Sequence, residues 1–234
     1  MENNTIGNPI ESYKKKKRAF FANFALKHLS AFRLHKEFGL LPKTEGWANV
    51  SRHCLVEAVA MDVLGRELRL SEKERSNLVQ AALLHDFYKR KEIELMKKEG
   101  DSMATVVEAE EGSNIILNER GTDPQIVLLT NSVGGAQIER MKKIETTLPE
   151  KIMFYIDNIT DNDNIVGLKN RIANLPSRYP DIAKTGIYRR LLEVSEEIQG
   201  ELAGKVGLDN PDALPEYIKT KIREAVESSA REGN

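Results

Sequence analysis

Hydrophobic side chains recur at helical spacing along most of the chain. The first stripe, within residues 10–37, consists of Phe21, Phe24, Ala25, His28, Phe32 and His35. Intervals of three and four residues place these side chains on one face of a helix. The same periodicity returns around His53 and over residues 103–119, 148–159 and 181–206. The pattern therefore predicts an all-α protein.

Local signals predict where several helices begin. Ser71 and Glu74 have the spacing of a capping box, which predicts the start of the helix that leads to His85. Asn49 is the predicted N-cap of the preceding helix. Pro149 is predicted at the first position of a later helix, where the missing N–H of proline costs nothing.

Turn residues and charge divide the rest of the chain. We expect a charged helix over residues 88–99, another over Met103–Glu119, and a short helix or a strand over Gln125–Thr130. Residues 39–46 are expected to form a loop, because they contain proline and two glycines. The predicted organisation is a short disordered lead (1–9), an N-terminal helix and loop (10–44), a central domain (45–175) and a C-terminal helical extension (176–234).

The composition is that of an ordinary globular protein. Apolar residues make up 40% of the chain, charged residues 30%, and the formal net charge is −1. A nucleic-acid partner is not expected from this balance. For the basic run Lys14–Arg18 a solvated helix face is favoured, and a phosphate-rich partner is the alternative. With the single Cys54 and no apolar run of membrane-spanning length, a cytoplasmic location without membrane contact is expected.

A His-Asp pair at the end of a buried helical segment is the strongest candidate for chemistry. The segment Gln80-Ala-Ala-Leu-Leu runs into His85 and Asp86, while His53 and Asp157 stand in apolar helical patterns elsewhere. Imidazole nitrogens and carboxylate oxygens together suit Mn²⁺, Fe²⁺, Co²⁺ or Zn²⁺. These four residues therefore predict a site for a divalent cation.

In this pattern the chain resembles the HD-domain superfamily of metal-dependent phosphohydrolases. The resemblance rests on a helical histidine, on ALLHDFYK beside the family's ALLHDIGK, and on FYIDNIT at the family's last aspartate, and it covers residues 45–175. It implies an HD-domain helical bundle, here with N- and C-terminal helical extensions. It also implies that Lys89 meets a substrate phosphate and that the metal ligands are His53, His85, Asp86 and Asp157.

Histidines that two-metal members of this family carry are missing here. The chain has 4 histidines in all, so a second metal would need carboxylates such as Glu108 or Glu111. We therefore favour one divalent cation per chain, of Mn, Co, Fe, Mg or Zn. His28 and His35 share a helix face and are interpreted as packing residues rather than as ligands.

The resemblance implies a hydrolytic enzyme in which a cation activates water for attack on phosphorus. A small phosphorylated substrate, preferably a nucleotide, is expected, with Asp86 and Lys89 as the catalytic residues. The expected substrate contacts are Trp47, Arg52, Lys89, Arg90 and Arg171. The general base stays open, because Phe87, Tyr88 and Lys89 stand where related members carry an acidic residue.

Two alternatives remain open on sequence alone. The same metal site could serve a hydratase, a lyase or a hydrolase of non-phosphate substrates. The chain could also be a catalytically silent HD domain that binds a nucleotide or a partner protein through Lys14–Arg18 and the C-terminal helices. Those helices could instead cap the pocket or form the contact of a homodimer.

Overall fold

The computed structural model describes residues 9–41 and 47–232. The disordered lead predicted over residues 1–9 lies outside the described residues, except for Pro9, which begins the first helix. The loop predicted over residues 39–46 lies outside them from residue 42 onward. Helices make up 78% of the structure and strands 2%, which confirms the all-α fold class.

Thirteen helices run through the described part of the chain. They are α1 Pro9–Lys27, α2 Leu29–Glu37, α3 Ala48–Glu67, α4 Glu72–Leu84, α5 Lys89–Glu99, α6 Met103–Glu119, α7 Pro124–Thr130, α8 Ile138–Met141, α9 Leu148–Ile159, α10 Leu168–Arg178, α11 Pro180–Ala183, α12 Ile187–Lys205 and α13 Leu214–Glu232. Short 3₁₀ turns, Gly135–Gln137 and Pro211–Ala213, precede α8 and α13. Strands β1 Thr160–Asp161 and β2 Asn164–Ile165 form an antiparallel hairpin after α9.

Side-chain caps explain where two helices begin. The predicted capping box is present at α4: Ser71 Oγ accepts from the Glu74 N–H at 3.3 Å, and the Glu74 carboxylate accepts from the Ser71 N–H at 2.9 Å. At α9, the Glu150 carboxylate accepts from the Thr147 N–H at 2.9 Å, a contact that the sequence analysis did not identify. Such contacts satisfy amide groups that a helix start leaves without partners.

Two other helix starts differ from the prediction. Pro149 occupies the second position of α9 rather than the first, since Leu148 is already helical. Proline is tolerated there because amide groups of the first turn lack intrahelical partners. Asn49 is not the N-cap of α3, which begins at Ala48; its side chain donates to Asn162 at 3.4 Å instead. The Asn49 side chain therefore bonds to a distant residue, Asn162, instead of capping its own helix.

Two segments predicted as single helices are interrupted. Residues 10–37 form α1 and α2, which separate at His28, where φ is −124° and ψ is 35°. Residues 181–206 form α11 and α12, which are separated by residues 184–186. Gly186, directly before α12, has a φ of 72°. Glycine adopts this left-handed conformation without a Cβ clash. The apolar stripe continues across both breaks, so the periodicity did not reveal them.

The core forms where α3, α4 and α9 pack together. α9 also contacts α7, α10 and α12, and its side chains Ile152, Phe154 and Tyr155 are fully buried. Burial of a large apolar side chain contributes about 1.5–3 kcal/mol relative to exposure. The core therefore fixes the position of Asp157, which α9 carries.

The C-terminal helices pack directly on this core. α12 lies against α9 and α10, and α13 lies against α1 and α3. Tyr155 of α9 donates a hydrogen bond to Gln199 of α12 at 3.0 Å. In the basic run Lys14–Arg18, Lys16 lies 2.9 Å from Glu227 of α13, and the other four side chains are exposed.

Across the described residues, no helix combines the length and apolarity needed to cross a bilayer.

Candidate metal centre

Two histidines direct the same ring nitrogen toward a common point. His53 lies in α3, and its Nδ1 is 2.9 Å from the carbonyl oxygen of Asn162 in the hairpin turn. His85 follows α4, and its Nδ1 is 2.8 Å from the carbonyl oxygen of Ala82. Because a carbonyl oxygen can only accept a hydrogen bond, each Nδ1 donates. Nε2 of both rings is therefore left for another ligand.

A carboxylate that the sequence analysis missed lies between the two rings. Glu57 stands one helical turn after His53 in α3 and is fully buried. Its Oε1 is 3.1 Å from Nε2 of His53, and its Oε2 is 3.4 Å from Nε2 of His85. The available signal was an acid four residues after the histidine, in an apolar run, since that spacing places both side chains on one helix face.

Two aspartates complete this arrangement. Asp157 of α9 has its Oδ1 3.6 Å from Nε2 of His53 and 4.0 Å from Nε2 of His85. Asp86 has its Oδ2 3.8 Å from Nε2 of His85. Of the four ligands expected from the sequence, His53, His85 and Asp157 offer ligand atoms to one group, whereas Asp86 lies beside His85 and outside that group. The ligand atoms of His53, Glu57, His85 and Asp157, here called the metal group, lie within 4.8 Å of one another.

The metal group can hold a metal ion. Both carboxylate oxygens of Glu57 and Nε2 of His85 are buried without a hydrogen-bond partner among the described residues. Burying a carboxylate without hydrogen bonds is costly unless a cation compensates its charge. Two imidazoles with carboxylates also form a donor set that suits divalent transition metals. The residues present therefore fit the predicted cation.

The protonation of the metal group depends on its burial and on its close charges. Burial opposes protonation of His53, but Glu57 and Asp157 outweigh this effect and raise the His53 pKa to about 9. Burial raises the pKa of Glu57 to about 7, against the opposing effect of His53. Burial alone would raise the pKa of Asp86, yet Lys89 and His85 hold it well below its usual range. A cation entering this group would have to displace protons.

A cavity of about 340 Å³ extends from the metal group. His53, His85, Asp86 and Asp157 line one part of it. Helices α5, α6, α11 and α12 add a largely apolar wall that includes Ile93, Met96, Met103, Val106, Ile182, Ile187, Tyr188 and Leu191. The volume falls within the range of about 300–1,000 Å³ that is typical of small-molecule sites.

Among the residues that the structure describes, three cationic side chains line the cavity, and each pairs with an acid. Lys89 Nζ lies 2.8 Å from Glu92 and 3.8 Å from Asp86. Arg171 and Arg178 lie 3.3 Å and 2.6 Å from Asp161. Asp161 thus anchors both arginines. The expected contacts Lys89 and Arg171 thus lie at the cavity.

Of the other expected substrate contacts, one lies at the cavity and two do not. Trp47 lines the cavity. Arg52 does not, because the position before His53 on α3 faces solvent, and its side chain is exposed. Arg90 also lies outside the cavity lining; its guanidinium lies over Gly39 and pairs with Glu94 at 3.0 Å. Arg52 and Arg90 therefore lie outside the cavity lining, unlike the other three expected contacts.

Two acids in the cavity wall were not identified from the sequence. Glu92 of α5 pairs with Lys89, and burial raises its pKa against the effect of that lysine. Glu110 of α6 also lines the cavity, and burial followed by Glu92 raises its pKa to about 7. Glu108 and Glu111, our carboxylate candidates for a second metal, are exposed. The helical turn of α6 directs Glu110 inward and directs Glu108 and Glu111 outward.

The histidines of the N-terminal helices lie apart from this site. His35 is fully buried, with Nδ1 2.9 Å from Ser51 Oγ and Nε2 2.6 Å from the carbonyl oxygen of Leu83. His28 is partly buried, and its ring lies 5.0 Å from that of Phe24. Both serve in packing, as we interpreted them.

Comparisons with protein-family models, with curated proteins and with solved structures found no match to this chain.

Proposed function

We propose that the protein is a metal-dependent phosphohydrolase that acts on a small phosphomonoester, with a nucleotide as the favoured class. The observation that carries this proposal is the position of the metal group in a cavity that Lys89 and Arg171 also line. A bound divalent cation would supply Lewis acidity toward a phosphoryl oxygen and would lower the pKa of water. The HD-like sequence pattern supports the same reaction.

Lys89 and Arg171 are suited to bind the phosphoryl group. Both line the cavity that contains the metal group. Their ion pairs with Asp86 and Asp161 fix the ammonium and guanidinium groups in place before a substrate arrives. Preorganised cations of this kind favour the transition state, because charge develops on the phosphoryl oxygens as the ester bond breaks.

Glu92 is the acid to which we assign proton transfer. It lines the cavity, lies 2.8 Å from Lys89, and has a pKa that burial raises. A carboxyl group whose pKa moves toward neutrality can both accept and donate a proton near neutral pH. Asp86, whose pKa is held low, stays ionised and contributes negative charge beside His85.

The direct test combines metal analysis with phosphate release. Untagged protein is assayed for bound transition metals by mass spectrometry, and phosphate release is measured on a panel of phosphomonoesters with added Mn²⁺, Co²⁺ or Mg²⁺. We expect one metal ion per chain and release of inorganic phosphate. Both should disappear in the variant His85→Ala/Asp86→Ala and persist in Asp62→Asn, since Asp62 lies on α3 outside the metal group and pairs with Arg66 and Arg75.

Each result has a distinct meaning. Bound metal without phosphate release from any ester would overturn the phosphohydrolase and favour a different reaction or a silent binding domain. Absence of metal even after reloading would overturn the metal centre itself. Phosphate release that survives in His85→Ala/Asp86→Ala would show that the activity arises elsewhere.

A further inference from the structure

Glu110 is the acid of the cavity whose charge no neighbour compensates. Among the described residues that line the cavity, Asp86 and Glu92 pair with Lys89, and Asp157 contacts His53. No residue that the structure describes forms a hydrogen bond or an ion pair with the carboxylate of Glu110. Burial and Glu92 raise the pKa of Glu110 to about 7 and outweigh the opposing effect of Lys89.

Glu110 stands on a different part of the fold from the metal group. It belongs to α6, which packs against α5 and α7, whereas the metal group stands on α3, α9 and the end of α4. Lys89 and Glu92, the charges that act on Glu110, both belong to α5. A substrate with its phosphate at Lys89 would extend its organic part toward Glu110.

The cavity that Glu110 lines offers apolar and aromatic surface for a flat ring. Met103 and Val106 of α6 supply apolar surface, and Tyr179 and Tyr188 supply aromatic surface to the same cavity. Aromatic side chains stack on nucleobases whatever the base, at about 1–3 kcal/mol per base. Stacking alone would therefore not select among bases. A hydrogen-bonding group is needed for selection.

We propose that Glu110 selects substrates whose heteroaromatic ring carries an amino group, by accepting hydrogen bonds from the ring's N–H groups. This inference rests on the proposed function of the cavity. At a pH above its pKa of about 7, the ionised Glu110 carboxylate offers two acceptor oxygens and no donor, so binding is compared at about pH 8. It matches the adjacent N–H and NH₂ groups of guanine and the amino group of cytosine. It matches poorly the ring C–H at the 2-position of hypoxanthine and the carbonyl that uracil presents in place of that amino group.

The test uses two substrate pairs that differ at this group: guanosine and inosine 5′-monophosphates, and cytidine and uridine 5′-monophosphates. Equilibrium binding by calorimetry and phosphate release are measured for each with the metal-loaded protein. We expect the amino-bearing member of at least one pair to bind about 10- to 100-fold more tightly, because hydrogen bonds to a charged acceptor are among the strong ones.

Two variants and a matched control assign the preference to Glu110. Glu110→Gln replaces one acceptor oxygen by a donor, and Glu110→Ala removes both acceptors, so each should lose the preference. Glu111→Gln, at an exposed position on the same helix, should keep it. Circular dichroism establishes that each variant is folded before binding is measured.

The outcomes separate this inference from the proposed function. An amino preference that Glu110→Gln abolishes, without phosphate release, would support the selection by Glu110 and overturn the hydrolase. Phosphate release without any amino preference, or with a preference that survives in both Glu110 variants, would leave the hydrolase standing and overturn the selection. Absence of binding by all four nucleotides would overturn the selection as well.

Discussion

Nδ1 of His53 lies 2.9 Å from the carbonyl oxygen of Asn162. Asn162 has a φ of 53°, in the left-handed region that few residues other than glycine and asparagine adopt readily. The two-residue turn between β1 and β2 therefore orients an imidazole that α3 supplies. A hydrogen bond from one ring nitrogen to a backbone carbonyl leaves the other ring nitrogen free to bind a metal.

Asn162→Val should loosen this orientation. A β-branched residue at a left-handed position costs about 1–2 kcal/mol, and we expect metal affinity to fall about 10-fold as the carbonyl moves. Asn162→Gly is the matched control, because it also removes the asparagine side chain, but glycine adopts the left-handed conformation readily. Urea unfolding and metal titration measure both effects. Equal metal affinity in the two variants would mean that the turn does not position His53.

Glu57→Gln tests the carboxylate between the histidines. Gln keeps the shape but lacks the charge, so metal affinity should fall at least about 10- to 100-fold, the range seen when only an outer partner of a ligand is lost. Asp62→Asn on the same helix should bind metal normally. If Glu57→Gln also binds normally, Glu57 serves to share a proton with His53 rather than to bind the cation.

Lys89→Met should impair turnover without removing the metal. The ammonium lies 3.8 Å from Asp86, but it carries no ligand atom, so metal content should be retained. We expect kcat/KM for phosphate release to fall about 10- to 1,000-fold, the loss typical of a group that stabilises transition-state charge. Lys91→Met, on the exposed side of α5, is the control. Unchanged kcat/KM in Lys89→Met would remove this lysine from the mechanism.

Glu110→Gln should stabilise the protein increasingly as the pH rises. The pKa of Glu110 is raised from 4.5 to about 7 by burial and Glu92, against Lys89. The stability that comes from binding this proton is present below pH 4.5 and is lost as the pH rises through about 7. Glutamine does not ionise, so its contribution to the free energy of unfolding does not change over this pH range. After discounting for partial exposure, we expect an advantage of about 1 kcal/mol near pH 8 and little near pH 5 in urea unfolding. A difference independent of pH would contradict the assigned cause.

Much of the fold follows from local signals. The box at Ser71 and the segment Met103–Glu119 were predicted with the bounds that the structure has, because caps and turn residues act over a few positions. The break at Gly186 was not predicted, since an apolar stripe does not report the φ of one residue. The β1–β2 hairpin was missed because two-residue strands are too short to show alternation.

Site residues that belong to the sequence motif could be predicted. Site residues that reach the site only through the packing of helices could not. His53, His85, Asp86 and Asp157 came from the motif. The structure places the two histidines and Asp157 in the metal group and Asp86 beside His85. Glu57 was passed over because a charged residue in a helix usually faces solvent.

The same limit explains the carboxylates of α6. Glu108, Glu110 and Glu111 are near neighbours, and the choice of the inward one depends on how α6 lies against α5. Helical periodicity fixes the angles between these three side chains but not the rotation of the whole helix. We therefore named Glu108 and Glu111, whereas Glu110 lines the cavity.

The metal group and the wall of the cavity come from different stretches of the chain. The metal group stands on α3, α9 and the end of α4, all fixed in the core, whereas Ile182, Ile187, Tyr188 and Leu191 belong to α11 and α12. Replacing wall residues in α11 and α12 would reshape the space offered to a ligand without disturbing the charged residues. Diversification toward new ligands could thus proceed in one segment while selection preserves the other.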